Sequence, residues 1–185
     1  MDVINDSTLG NQTQAPSGWD WIVLGKLGEF NKGNGIKKDD STSGTIPAIR
    51  YGEIYTKHHN IIGKFYSFIS RDVANGAKRL KKGDILFAGS GETKSEIGKS
   101  VAFTLDNEVY AGGDIVIFSP KNINSDLLGY LLNSPIVQKQ KSSYGQGDAV
   151  VHISASNLGK INICIPQNIE EQTAIATALS EMDSL

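Results

Sequence analysis

The stretch Ile161–Leu185, INICIPQNIEEQTAIATALSEMDSL, carries two periods back to back. Ile161, Ile163 and Ile165 alternate with Asn162, Cys164 and Pro166, the pattern of a half-buried strand closed by proline. Asn168 with Glu171 three residues on has the form of a capping box. Ile175, Ala178, Met182 and Leu185 then recur at three- and four-residue steps with Leu179 beside them, a stripe of coiled-coil type. The stripe runs into the end of the chain, so the helix is either cut there or continues as a coiled coil. A strand followed directly by such a helix points to an α+β chain.

Working outward, the remaining segments alternate in the same way. Leu80-Lys81-Lys82-Gly83-Asp84 is a turn that launches Ile85-Leu86-Phe87-Ala88, a continuous apolar run of buried-strand type. Strands are also expected near 45–52, 61–69, 100–105, 109–111, 114–118 and 150–153, and 19–25 is expected to be a strand or a short helical entry. Leu127, Leu128, Leu131, Leu132 and Val137 recur at helical spacing, which predicts one helix over 126–141 with a break at Pro135. Residues 31–44, 89–99 and 142–148 are Gly-rich polar loops, and 1–18 are polar without an apolar period, a flexible arm. The expected division is an arm over 1–18, a globular domain over 19–167 and a helix over 168–185.

Apolar residues make up 39% of the 185 and charged residues 21%, enough for a sizeable core. Cys164, the only cysteine, sits between isoleucines and reads as a small core residue; its solitude excludes an internal disulfide. No apolar run is long enough to span a membrane and no leader pattern is visible, so a cytoplasmic protein is expected. Net charge is −2 but unevenly spread: 26–99 hold fourteen Lys and Arg against eight Asp and Glu. A chain polarised in this way can present a basic face despite its acidic total.

Enzyme-like signals gather between Asp84 and Ser100. Phe87-Ala88-Gly89-Ser90-Gly91 has the F-x-G-x-G form of an S-adenosylmethionine loop. The companion proline-and-aromatic element is missing at Asn133-Ser134-Pro135-Ile136, and no cofactor is expected. Gly98-Lys99-Ser100 ends like a phosphate-binding loop, but Thr93 stands where its first glycine belongs. Asp84, Glu92 and Lys94 have the spacing of a metal-dependent nuclease, the alternative activity, yet Glu92 and Lys94 fall in a polar loop where that site needs a strand. His58, His59 and His152 have no zinc-ligand spacing around them.

Binding chemistry is what remains. Lys and Arg neutralise phosphates, and Arg, Asn and Gln can pair with base edges. The candidates are Lys32, Lys37, Lys38, Arg50, Tyr51, Lys57, Ser90, Thr93, Lys94, Lys99, Tyr144 and Gln146. Arg50 stands out, ending an apolar strand beside Tyr51 and Gly52.

The order of several motifs resembles a known family. Leu24-Gly25-Lys26-Leu27 and Gly44-Thr45-Ile46-Pro47-Ala48-Ile49-Arg50-Tyr51-Gly52-Glu53-Ile54 come first. Leu80–Phe87 with Glu96-Ile97-Gly98-Lys99 follow, then Gly147–Ser154. Ile161–Pro166 with E-Q-x-x-I-A-x-x-L over Glu171–Leu179 close the set. Together, from Trp19 to Leu185, they resemble a recognition domain of a type I restriction–modification specificity subunit. The resemblance implies a mixed α/β globule with a curved mixed sheet and flanking helices, reading about half of a bipartite double-stranded DNA target. The helix after Gln172 would start a spacer, with Ile175, Ala178, Leu179, Met182 and Leu185 at its interface. Chemistry would lie in separate methyltransferase and restriction/translocase subunits. Whole subunits carry two such domains and this chain has one, so the second would come from the same protein or another copy.

Overall fold

A computed structural model describes residues 14–184. Most of the expected arm, and Leu185 of the expected interface, lie outside them. Twelve strands are described: β1 (Trp19–Val23), β2 (Gly28–Lys32), β3 (Ile46–Ile49), β4 (Ser67–Ile69), β5 (Lys78–Arg79), β6 (Asp84–Ala88), β7 (Ser90–Gly91), β8 (Ser100–Phe103), β9 (Tyr110–Ala111), β10 (Ile115–Pro120), β11 (Val151–His152) and β12 (Asn162–Pro166). Six α-helices accompany them: α1 (Tyr51–Thr56), α2 (Arg71–Asn75), α3 (Ser125–Leu131), α4 (Pro135–Tyr144), α5 (Ala155–Leu158) and α6 (Ile169–Asp183). None is long and apolar enough to cross a membrane.

The chain is of the mixed α+β class, with its strands spread over four sheets. The central one has the order β2-β10-β6-β8, all antiparallel. The continuous apolar run of β6 has a physical reason: both of its faces are covered. Ile85 and Phe87 point into a core with Phe118, Leu128, Leu132, Val137 and Ile163. Leu86 and Ala88 point into another with Ile49, Ile54, Ile62, Val101 and Ile117. The second four-stranded sheet, β4-β3-β9-β5, is mixed, because β3 and β9 run parallel.

The first and last strands, β1 and β12, pair antiparallel from Trp19↔Pro166 to Val23↔Asn162. The Glu-Gln pair at the start of α6 clasps this junction. Gln172 is buried; its amide donates to the Pro166 carbonyl (2.8 Å) and accepts from the Asn124 N–H (2.9 Å). Asn168 caps α6 by accepting from the Glu170 N–H (2.7 Å). Glu171 does not close a capping box: its carboxylate accepts from the Trp19 indole (3.0 Å) instead. Of the α6 stripe, Ile175 and Leu179 are half-buried, while Ala178 and Met182 are exposed. The helix packs on α3 through the side that buries Gln172 and Ala176.

Other expectations shift. Helix 126–141 is two helices, with Asn124 capping α3 through the Leu127 N–H (2.9 Å) and Pro135 opening α4 at a position where no N–H is needed. Residues 61–69 form a strand only over β4. Asn60–Ile62 instead lie against β8, through Ile62 N–H to Ala102 O and Ala102 N–H to Asn60 O (both 2.9 Å). Residues 31–44 begin inside β2 and contain a 3-10 turn at Lys38–Thr42. Arg50 does not end a strand. It precedes α1, and Glu53 accepts from its N–H (3.1 Å) and from the Ser67 hydroxyl.

Candidate nucleic-acid interface

A cleft of about 920 Å³ opens between α1, the segment following β7, and the start of α4. Its floor is the 90–100 stretch, held by three side chains. Gln138 donates to the Ile97 carbonyl (3.0 Å) and Lys141 to that of Gly98 (2.7 Å). Asn133 clamps Ser100 from both sides, accepting from its N–H (3.0 Å) and donating to its carbonyl (2.8 Å). Gly98 has φ +70°, and a Cβ there would lie 3.1 Å from Lys141 Cδ, so the corner is built for glycine.

Lys141 is fully buried, and burial pushes its amine down to about 7. Tyr55 of α1 reaches across the cleft and donates to the Ser90 carbonyl (3.1 Å). Burial first, then the nearby Glu96 charge, raise its phenol to about 12, so it stays a donor at any ordinary pH. Strand β11 completes the wall: Ser90 Oγ lies 2.9 Å from His152 Nδ1. No carboxylate orients this histidine among the described residues, so the pair is a cross-strand hydrogen bond, without the third member of a hydrolytic triad.

The cleft collects Tyr51, Ser90 and Lys99 from the sequence candidates, and Thr93 and Lys94 stand exposed on its rim loop. Lys99 is turned inward: its amine donates to the carbonyls of Tyr55 (3.2 Å) and His58 (2.8 Å), and burial lowers its pKa. It braces the C-terminal end of α1. Exposed Gln146 lies close by, its backbone exchanging hydrogen bonds with that of His152. Tyr144 packs against the core, with the Lys160 ammonium 5.7 Å from its ring centroid.

The other candidates lie elsewhere. The Lys57 ammonium sits 5.5 Å from the Tyr66 centroid. Lys32, Lys37 and Lys38 are exposed around a loop that crosses one end of the mixed sheet, where Asn34 N–H donates to Ala111 O (3.1 Å). Arg50, half-buried, follows Ile49 at that same end. Tyr55, Glu96, Asn133 and Gln138 join the site without being sequence candidates. Tyr55, Asn133 and Gln138 act through a helix or a long-range contact that no local pattern announces, whereas Glu96 accepts locally from the Thr93 hydroxyl (3.2 Å).

The nuclease arrangement does not assemble. Asp84 is buried at the start of β6, its carboxylate accepting from the Lys81 N–H (2.8 Å) and the Ser119 hydroxyl (2.6 Å). Glu92 follows the far end of that strand, a rise of about 13 Å away. No group of three potential metal-ligating side chains occurs among the described residues.

His58 beside the cleft is buried, and its Nε2 has no partner among the described residues. Burial, then the Lys99 charge, press its pKa from 6.5 to about 4. The unfolded chain therefore takes up this proton first. Stability contributed by neutral His58 is complete above pH 6.5, falls as pH drops toward 4, and levels below. Urea unfolding is expected to lose up to about 3 kcal/mol across that window, and a His58→Phe variant to lack this step.

The cleft thus mixes apolar and hydrogen-bonding side chains, and it lies beside a basic sheet end on a mixed α+β frame. Residues 16–185 match the family described as type I restriction modification DNA specificity domain, and the chain belongs to that family. It is 26% identical to the type I restriction enzyme StySPI specificity subunit of Salmonella potsdam over 187 aligned positions, covering 94% of this chain and 39% of that one. It is likewise 26% identical to the EcoKI specificity subunit of Escherichia coli, covering 91% and 38%. The chain thus spans about two fifths of the length of these curated relatives. Its fold is shared with the S subunit of the type I restriction–modification system of M. genitalium (TM-score 0.64, 18% identity, 95% of this chain and 41% of that one).

Proposed function

We propose that residues 19–167 form a target-recognition domain that reads one half of a bipartite sequence in double-stranded DNA. In this reading, 168–185 start a spacer helix that sets the distance to a second recognition domain, with Ile175, Ala178, Leu179 and Met182 as its seam. The domain directs separate modification and restriction subunits in the cytoplasm and performs no bond-making step itself. Family membership carries the reading. The site chemistry agrees with it: a cleft bordered by Tyr51, Ser90, Thr93 and Lys94 offers hydrogen-bonding and stacking groups.

The base-reading role falls to Tyr51, Ser90, Thr93 and Gln146. Lys32, Lys37, Lys38, Arg50, Lys57 and Lys94 supply charge toward phosphates, and Lys99 and Tyr144 support the walls. Titration with duplex DNA at rising salt is expected to show affinity falling linearly on a log–log scale. Plasmid incubated with Mg²⁺ is expected to stay intact. Absence of affinity at low salt, with no rescue by a modification subunit, would sink the proposal. Nicking that disappears in Glu92→Ala would put the nuclease in its place.

A further inference from the structure

Strand β5 is an outer strand of the mixed sheet, pairing only with β9 among the described residues. It carries Lys78 and Arg79, and Lys81 and Lys82 follow after the buried Leu80; all four are exposed. Three of the acids nearby are occupied. Glu108 is held by Arg71 (2.6 Å) and by the Tyr110 hydroxyl (2.8 Å). Asp106 is held by Lys82 (2.7 Å), and Glu29, which feels the Lys81 charge, by Lys121 (2.5 Å). Lys78, Arg79 and Lys81 therefore have no ion-pair partner among the described residues.

The register places this edge relative to the cleft. Lys78 lies opposite Ala111, and Ala111 opposite Ile49, so Lys78 is level with the residue before Arg50. Two inter-strand spacings separate them, about 10 Å. The loop carrying Lys37 is tied to the same end, since Asn34 donates to the Gly76 carbonyl (3.0 Å) two residues before Lys78. One end of the sheet thus gathers cations from three segments, and α1 leads from it into the cleft.

We infer that Lys78, Arg79 and Lys81 form a track for the DNA phosphate backbone that positions the duplex while the cleft reads bases. The inference rests on the DNA-recognition reading proposed for the domain. Phosphates are its occupant because three exposed cations without an ion-pair partner among the described residues complement a row of single negative charges, and because phosphate contacts fix register without reading sequence.

The test compares the chain with a Lys78→Gln/Arg79→Gln/Lys81→Gln variant and a Lys78→Arg/Lys81→Arg variant, each checked for fold by circular dichroism. Each binds a duplex of mixed sequence across a salt series, and each selects from a randomised duplex pool. The slope of log affinity against log salt is expected to become shallower by roughly 0.9 for each phosphate no longer neutralised, so by about 2–3 in the triple variant. Affinity at low salt is expected to fall on the order of tenfold or more. The selected sequence should not change, and the arginine variant should keep the original slope.

An unchanged slope overturns the inference. An unchanged slope with new self-association would identify these side chains as guards of an open sheet edge. A changed selected sequence would make them base readers, which also overturns it. If the unaltered chain binds no DNA at any salt, the recognition reading fails and the track falls with it, an outcome distinct from the others.

Discussion

Phe87→Ala is expected to lower the unfolding free energy by about 3–5 kcal/mol. Phe87 has no exposed surface and is flanked within the sheet by Val116 of β10 and Ser100 of β8. Its ring fills the core that joins the central sheet to α3, α4 and α5 through Leu128, Val137 and Leu158. Neighbours on a paired strand cannot collapse into the space it leaves, so lost burial and a residual cavity add together. Domains of this size have about 5–15 kcal/mol in all, so the variant stands near the edge of folding. Urea midpoints for Phe87→Ala and for Ile136→Ala, whose side chain is 63% exposed, check this. The second should stay within about 0.5 kcal/mol of the parent.

The second large effect is a rise of stability with pH that traces to Lys141. Its amine has no exposed surface, and the Gly98 carbonyl is its hydrogen-bond acceptor. Burial lowers its pKa from 10.5 to about 7, while the unfolded chain keeps the ordinary value. Below pH 7 both states are protonated and the cost of burying the charge is constant. Between pH 7 and 10.5 the unfolded state holds more protons, so stability rises with pH, at up to about 1.4 kcal/mol per pH unit. Above 10.5 both states are neutral and the effect ends. Denaturant unfolding at pH 7 and pH 9, on the parent and on Lys141→Met, isolates this contribution. The parent should gain stability over that interval by more than the variant, and equal gains would show that the amine is not desolvated as described. The variant also leaves the Gly98 carbonyl without this donor, so the 90–99 loop is expected to exchange its amide protons faster.

How far the sequence discloses this molecule depends on the range of the interactions. The strands β6, β8 and β10 are legible because their apolar runs are uninterrupted, β12 because its isoleucines alternate with other residues, and turns such as Lys81–Asp84 close locally. The split at Pro135 is legible because proline cannot donate. Arg50 looks like a strand end because Ile46–Ile49 is a strand, whereas the cap of the next helix comes from Glu53, three residues on, which Ser67 in turn holds. Glu171 looks like a capping partner because nothing local shows that Trp19, 152 residues away, takes its carboxylate.

The candidate site follows the same rule. Ser90, Thr93 and Lys94 stand out in a polar Gly/Ser loop, whereas Tyr55, Asn133, Gln138 and Lys141 reach it only through tertiary packing. Lys99 is legible as a charge but not as a brace, because its acceptors are the carbonyls of Tyr55 and His58, more than forty residues earlier.

Whether this domain reads a DNA sequence is tested most directly by selection from a duplex pool with a randomised segment at fixed salt. Enrichment of one short sequence is expected, with preference at individual positions relaxed by cleft variants such as Tyr51→Ala and Thr93→Ala. Recovery of an unenriched pool, both by the chain alone and in the presence of a modification subunit, would contradict sequence recognition by this domain.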